Sequence, residues 1–265
     1  MPAPYPDKQR QARRALSKLF ASPGSVRIVH YSCEDLDNRD SGQSPRVTSI
    51  AVRRLDTGQT TSFSIHAVAE ERSVLLGEID AQYNGLEREM LDRFYQYVGR
   101  TADASFLHWN MRDAGFGFAA LEHRTRVLGG TPGSIPEAQR FDLGRMLQDM
   151  YGNEYIENPK LERIAEKNNI TMLNFVPGDQ EPELFKQKQY VAMHRSTLRK
   201  VDIIADVAER AYRRTLKTNA NWWVQRGGTF GYFVDWVTGN TKVGFAIGIA
   251  GLLVAILGII FCLHH

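Results

Sequence analysis

Residues 25–65 read SVRIVHYSCEDLDNRDSGQSPRVTSIAVRRLDTGQTTSFSI and contain three runs rich in apolar and β-branched residues. The runs cover residues 26–31, 47–52 and 60–65, and a polar loop and the turn at 56–58 separate them. Runs of this composition that are bounded by turn residues favour β-strands. The short second connection is typical of a hairpin. We therefore predict three consecutive antiparallel strands.

Downstream of this region the apolar spacing becomes mainly helical. Residues 86–98 have helical spacing, residues 104–109 predict a fourth strand, and Asp113 is placed to cap a helix that runs to about residue 128. Further helices are predicted at 8–20, 141–150, 159–168, 181–193 and 196–216. Antiparallel strands followed by alternating helices and strands predict an α/β fold, in which helices flank a mixed sheet.

Residues 243–263 form an apolar segment of 21 residues without a charge. As a helix, the segment would be about 30 Å long, the thickness of a bilayer's hydrocarbon core. We predict a single transmembrane helix that tethers the domain to a membrane, although a buried core helix is the alternative. Lys242 and other basic residues upstream favour a cytoplasmic domain. Cys33 and Cys262, the only cysteines, exclude a disulfide framework.

The chain therefore divides into four predicted parts. These are a basic segment (1–24), the folded domain (25–217), an aromatic juxtamembrane segment (218–242) and the transmembrane helix (243–263). Aromatic side chains favour the headgroup region of a bilayer, so we expect the third part to lie at the membrane surface. Stacking on single-stranded nucleic acid is the competing interpretation.

Charge is distributed unevenly along the chain, whose net charge is +3. Residues 1–20 carry a net charge of +4 and residues 195–226 a net charge of +5, so the remainder sums to −6. Two basic segments on an acidic body indicate an anionic partner, either nucleic acid or lipid headgroups. The alternative is that both segments are solvated surfaces with no specific partner.

Small residues recur within the predicted transmembrane helix at intervals of three and four. They lie on one stripe of the helix, where small side chains let two backbones approach closely in lipid. We therefore expect a homo-oligomer that assembles through Gly244, Gly248, Gly251, Ala255 and Gly258.

Three sequence motifs fall at the ends of these predicted elements. The first strand ends in Ser32-Cys33-Glu34, the fourth ends in Asn110 with Asp113 three residues later, and His194 precedes the last helix. This arrangement resembles the DEDD family of 3′–5′ exonucleases over residues 25–215. The resemblance implies a ribonuclease H-like fold, with an antiparallel meander of three strands followed by parallel strands.

The resemblance also implies roles for individual residues. Glu34, Asp113 and Asp202 would bind Mg²⁺ or Mn²⁺, and His194 would be the general base that deprotonates the attacking water. Two positions depart from the family pattern: Ser32 stands where the family has its first Asp, and Arg199 where it has its last. Neither side chain is a good ligand for a hard cation.

Two function hypotheses follow. The chain is either a membrane-anchored 3′–5′ exonuclease-like protein that binds nucleic acid or nucleotides and hydrolyses phosphodiester bonds, or a catalytically inactive sensor or scaffold with this fold. In the second hypothesis the self-associating transmembrane helix makes the protein a membrane effector. Several candidate residues also have structural interpretations, since Asp113 is a favoured helix cap and Cys33 is a small apolar side chain.

Overall fold

A five-stranded mixed sheet lies at the centre of the computed structural model, which describes residues 6–34, 44–112 and 115–220. The strands are β1 (Val26–Cys33), β2 (Val47–Arg54), β3 (Thr60–Ser64), β4 (Ser105–His108) and β5 (Arg140–Asp142). The helices are α1 (Pro6–Ala21), α2 (Ile65–Glu71), α3 (Ile79–Arg100), α4 (Phe118–Val127), α5 (Leu143–Tyr151), α6 (Lys160–Lys167), α7 (Glu181–Lys186) and α8 (Tyr190–Tyr212). Short 3₁₀ turns occur at Pro23–Ser25, Leu76–Glu78, Glu137–Gln139 and Gly178–Gln180.

The strand order is β3-β2-β1-β4-β5, which makes β1 the central strand. Strands β1, β2 and β3 pair antiparallel, as their sequence predicts, whereas β4 and β5 run parallel to β1. The prediction of an α/β fold with helices around a mixed sheet is confirmed. Because β1, β4 and β5 are parallel, their carboxyl ends meet at one edge of the sheet.

Strand β1 is buried along its whole length because helices cover both faces of the sheet. Side chains alternate between the faces of a strand. Val26 and Ile28 pack in the cluster that contains α1, α5 and α8. Val29 and Tyr31 pack in the cluster around α3. By the same alternation, the polar residues His30 and Ser32 face the side of the sheet that Val26 and Ile28 face.

Helix α1, predicted as a separate basic segment, packs on the domain core. Its apolar residues Ala12, Leu16 and Leu19 are buried in the cluster that also contains α5 and α8. Pro6 and Asp7 in the first turn suit the start of a helix, because the first amides lack intrahelical partners and the helix dipole favours negative charge there. Its basic side chains therefore stand on a helix that is fixed to the domain.

Two elements were not predicted, and one prediction of a continuous helix is wrong. Strand β5 has only three residues, too few to show an alternating pattern, and α2 follows β3 without a break. The predicted helix at 181–193 is divided between α7 and α8. Lys188 separates them and has a φ of 57°, a left-handed conformation that a helix cannot contain.

Several sequence predictions concern residues outside the described ranges. These are the transmembrane helix at 243–263 with its small-residue stripe, residues 221–242 of the aromatic segment, and Asp113. Within residues 6–34, 44–112 and 115–220, no helix combines the length and apolarity that crossing a bilayer requires.

A buried ion pair joins α3, α4 and the start of β2. The Glu87 carboxylate is fully buried and accepts hydrogen bonds from the Arg124 guanidinium at 2.9 and 2.5 Å and from the Val47 amide at 2.6 Å. Burial raises the pKa of Glu87, because a low-dielectric environment disfavours the charged form. Arg124 offsets that cost and thereby holds α4, the helix after the β4 loop, against α3.

Replacing Arg124 with methionine leaves the Glu87 charge buried without its cation, and we expect a loss of about 3–5 kcal/mol in the free energy of unfolding. The control is Arg126→Met, which removes an exposed ion pair with Glu122 on the same helix and costs about 1 kcal/mol or less. Urea unfolding of the two variants and the wild type measures both values. Equal losses in the two variants would contradict the assigned role of the buried pair.

Candidate functional site

A cleft of about 500 Å³ opens at the carboxyl ends of β1 and β4. His30 and Tyr31 of β1 and Lys200 of α8 form its base, while the loop after β4 and residues 158–162 and 175–181 form its walls. Ligands of open α/β sheets bind at this edge, where loops leave the parallel strands. We therefore take the cleft as the candidate site.

The loop after β4 turns sharply to form one wall. Asn110 has a φ of 53°, a left-handed conformation that asparagine tolerates better than most residues. Its amide donates to Asp142 Oδ1 at 3.2 Å, and Asp142 also caps α5 by accepting from the Arg145 amide at 3.3 Å. A Cβ at Gly144 would lie 2.8 Å from Asn110 Oδ1, so a larger residue would require the Asn110 side chain to move. The end of β5 and the start of α5 thereby position the loop.

A buried ion pair forms the polar part of the base. Lys200 and Glu181 are only 4% and 6% exposed, and Lys200 Nζ is hydrogen bonded to Glu181 Oε1. Ser32 Oγ donates to Glu181 Oε2 at 2.7 Å, so both carboxylate oxygens are occupied. The Phe175 ring lies 5.5 Å from Lys200 Nζ. Each member of the pair therefore has a buried partner of opposite sign, which offsets part of the cost of removing it from water.

His30 lies on the same face of β1 as Ser32 and is 7% exposed. Burial holds its pKa well below the ordinary value, and the nearby charge of Lys200 lowers it further. The imidazole is therefore neutral at pH 7. Its Nδ1 is buried and has no hydrogen-bond partner among the described residues.

Aromatic side chains cover another wall. The rings of Tyr31 and Phe116 stack with their centres 4.4 Å apart, and Phe116 also contacts His30 edge-on at 5.8 Å. The Gly117 amide donates to the Tyr31 hydroxyl at 2.9 Å, which ties the aromatic pair to the start of α4. Trp109 lines the opposite part of the cleft.

Two basic side chains lie at the rim. Arg112 is about half exposed and forms an ion pair with Asp142, with Nε 2.5 Å from Oδ2. Lys160 donates to the carbonyl of Asn153 at 2.8 Å and lies 5.0 Å from the Tyr155 ring, and partial burial lowers its pKa. Glu162 is the acidic residue beside them. With Asp142 included, the rim carries two basic and two acidic side chains, and Lys160 is the cation there without a carboxylate ion pair among the described residues.

The predicted metal ligands Glu34 and Asp202 do not share this cleft. Both oxygens of Glu34 are bound by Arg46, at 3.0 and 2.9 Å. Asp202 is paired instead with Arg53 at 3.0 Å and with Arg199 at 3.5 Å. Arg46 directly precedes β2 and Arg53 lies near its end, so the backbones of the two arginines are about 20 Å apart.

The ring contact of His194 is with another histidine and not with either carboxylate. His194 packs against His66 of α2 with ring centres 4.9 Å apart, and it precedes Asp202 by eight residues on α8, about 12 Å of helix. Asp113 is outside the described residues, although its neighbours Arg112 and Phe116 line the cleft. The described residues therefore do not assemble Glu34, Asp202 and His194 into one centre.

The described residues of the cleft do not fit a pair of divalent cations. Two-metal centres need several carboxylates around two ions about 4 Å apart. Glu181 lies in the base of the cleft, but Lys200 and Ser32 already occupy its oxygens. In the part of the chain that the structure describes, no group of three or more His, Cys, Asp or Glu residues is arranged to hold a metal.

Sequence reasoning missed His30, Glu181 and Lys200, although two of them carried a signal. Lys200 precedes Ile203, Ile204 and Val207 at helical spacing, which places its charge on the buried stripe of α8. His30 alternates with the apolar residues of β1 and faces the same side as Ile28. Glu181 gave no such signal, because its neighbours along the chain are polar.

His108 faces away from the cleft and has a structural role. Its Nδ1 accepts from the Met111 amide at 3.2 Å, and its ring packs edge-on against Phe118 at 5.3 Å. Burial lowers its pKa to about 4, so it remains a neutral acceptor that shapes the loop after β4.

No family model, curated protein or solved structure matches this chain. The site is therefore interpreted from its own geometry and chemistry.

The pKa of His194 predicts how stability depends on pH. Burial, with a smaller contribution from His66, lowers this pKa to about 4, whereas an unfolded histidine titrates near 6.5. Below about pH 6.5 the unfolded chain binds a proton that the folded chain excludes, so the contribution of His194 to stability is lost as pH falls toward 4. Between pH 7 and pH 5 we expect His194→Gln to lose less unfolding free energy than the wild type.

Urea unfolding at pH 7, 6 and 5 measures this difference. His123→Gln is the control, since His123 is exposed on α4 and should keep the wild-type dependence. Burial lowers the pKa of the neighbouring His66, while Glu70 raises it and Arg195 lowers it. None of these three residues is changed in the two variants. A His194→Gln variant with the full wild-type slope would show that this imidazole titrates normally.

Proposed function

We propose that this chain is a membrane-tethered protein with an exonuclease-like, ribonuclease H-like domain that binds single-stranded nucleic acid or nucleotides without hydrolysing them. The observation that carries the proposal is the cleft at the carboxyl ends of β1 and β4, which combines buried and rim cations with aromatic side chains.

The fold assignment is supported by the sheet and by the motifs. The strand order, with an antiparallel meander followed by two parallel strands, is the arrangement that the resemblance to DEDD exonucleases implies. The loop after β4, which contains Asn110, lines the cleft, and so does α8, which contains the predicted third motif. The sheet and the motifs therefore both favour the carboxyl ends of β1 and β4 as the place where a ligand would bind.

The cleft chemistry favours a nucleic-acid ligand. Cationic side chains attract the phosphate backbone, and aromatic side chains stack on bases without sequence preference. Lys200 at the base and Arg112 and Lys160 at the rim supply the cations. Phe116 and Trp109 supply aromatic surface within the same 500 Å³.

Binding is favoured over hydrolysis because a lysine occupies the base of the cleft. Lys200 and Ser32 neutralise and bind Glu181, the buried carboxylate there. Glu34 and Asp202 are bound by arginines some distance away. The rival hypothesis is hydrolysis with Mg²⁺ or Mn²⁺ by Glu34, Asp113, Asp202 and His194, and a strand-cleavage assay separates the two.

Arg112 gives the sharpest test of binding, because it stands at the rim and is half exposed. We expect Arg112→Gln to weaken the binding of a fluorescein-labelled single-stranded 12-mer about threefold to tenfold. Loss of one phosphate contact should also reduce the dependence of log Kd on log salt by about 0.7. Fluorescence anisotropy of the full-length protein in a mild detergent, from 50 to 300 mM salt, measures both effects.

Arg126→Gln is the matched control, since Arg126 is similarly exposed and ion-paired but lies outside the cleft. Its affinity and salt dependence should equal those of the wild type. The same 12-mers incubated with Mg²⁺ or Mn²⁺ should remain intact. Metal-dependent shortening that Asp113→Ala abolishes would favour the exonuclease, and equal weakening by both arginine variants would remove the cleft assignment.

The membrane tether and its self-association are part of the proposal and rest on the sequence of residues 243–263. We expect the full-length protein to stay with the lipid fraction in alkaline carbonate. Chemical cross-linking in detergent should give oligomers, and a Gly248→Ile, Gly251→Ile variant should lose most of them because bulky side chains keep the helices apart. The Leu252→Ile, Leu253→Ile variant is the control. If the glycine variant gives the same cross-linked oligomers as the wild type, association through the small-residue stripe is contradicted.

A further inference from the structure

The imidazole of His30 has unused hydrogen-bonding capacity inside the cleft. Neither ring nitrogen bonds to a described residue, and only Nδ1 is completely shielded, which leaves Nε2 as the nitrogen that reaches the cleft. A neutral imidazole has one N–H donor and one acceptor lone pair. A hydroxyl group matches Nε2 in either tautomer, because a hydroxyl both donates and accepts.

The ammonium group of Lys200 also has unused donors. It carries three N–H groups, and among the described residues Glu181 Oε1 is its only hydrogen-bond acceptor. Lys200 is close enough to His30 to lower the pKa of that residue. The base of the cleft therefore presents cationic donors next to a neutral group that pairs with a hydroxyl.

We propose that the cleft selects ribonucleotides, with His30 hydrogen bonding the 2′-hydroxyl and Lys200 binding the adjacent phosphate. This inference rests on the proposed binding of nucleic acid and specifies the sugar. In RNA the 2′-hydroxyl and the 3′-phosphate are neighbours on one ribose, whereas DNA has no hydroxyl at that position. Phe116, which contacts the His30 ring, is placed to stack on the base of the same nucleotide.

The experiment compares labelled 12-mers of uridine and deoxyuridine, which differ only in the 2′-hydroxyl, by anisotropy with the full-length protein in EDTA. One additional net hydrogen bond predicts RNA binding that is about threefold to tenfold tighter. His30→Phe should abolish the preference for RNA, so that this variant binds the RNA and DNA 12-mers with equal affinity. His123→Phe, at an exposed histidine, is the control and should keep the RNA preference.

A second probe avoids any variant of the buried histidine. RNA with 2′-fluoro groups keeps the ribose pucker but removes the hydroxyl, so the wild type should bind it as weakly as DNA. Competition by uridine 3′-monophosphate distinguishes a free ribonucleotide from an RNA strand as the ligand. A competitor as tight as the 12-mer assigns the site to a free ribonucleotide, and a much weaker one assigns it to an RNA strand.

The outcomes distinguish this inference from the function on which it rests. Equal binding of RNA and DNA, or equal binding of RNA and its 2′-fluoro form, overturns the ribose assignment and leaves nucleic-acid binding in place. An RNA preference that persists in a folded His30→Phe variant overturns the role of His30. Failure of the wild type to bind any of the probes overturns the proposed function itself.

Discussion

Burial of β1 on both faces is the constraint on which the rest of the described structure depends. The strand is central in the sheet, so every side chain must face either α8 or α3. Apolar residues satisfy this requirement along most of its length. Ser32 and His30 are polar exceptions near its carboxyl end, on the face toward α8. The cleft opens on this side of the strand, where Ser32 bonds to Glu181 and the buried Nδ1 of His30 has no partner among the described residues.

Two buried ion pairs lie on opposite sides of the sheet, and they differ in how their hydrogen-bonding groups are satisfied. Glu87 and Arg124 join three elements on the α3 side and have their hydrogen bonds satisfied within the fold. Lys200 and Glu181 lie on the α8 side, where Glu181 is satisfied but the ammonium keeps spare donors beside the cleft. A buried ion pair contributes little net stability compared with well-packed apolar residues, so the two pairs differ mainly in what their remaining hydrogen-bonding groups face.

The residues on which the predicted resemblance to DEDD exonucleases depends lie in different parts of the described structure. The loop after β4, which contains Asn110, lines the cleft, and α8 contributes Lys200 to it. Glu34 and Asp202, which stood closest to the expected metal ligands along the chain, are bound by arginines about 20 Å apart. Residues that are close together in the sequence of a motif point to different faces of a strand or helix. Only those side chains that face the cleft can take part in a site there.

The sequence alone determined the α/β class, the antiparallel meander and most of the helices, because periodic burial and turn residues are local properties. It also determined the segment 243–263 as an apolar stretch long enough to cross a bilayer. Tertiary structure decided the pairing of β4 with β1 and of β5 with β4, the break at Lys188 and the meeting of Lys200, Glu181 and Ser32. Those partners are up to 168 residues apart, and which long-range contact a charged side chain makes depends on packing that no local pattern records.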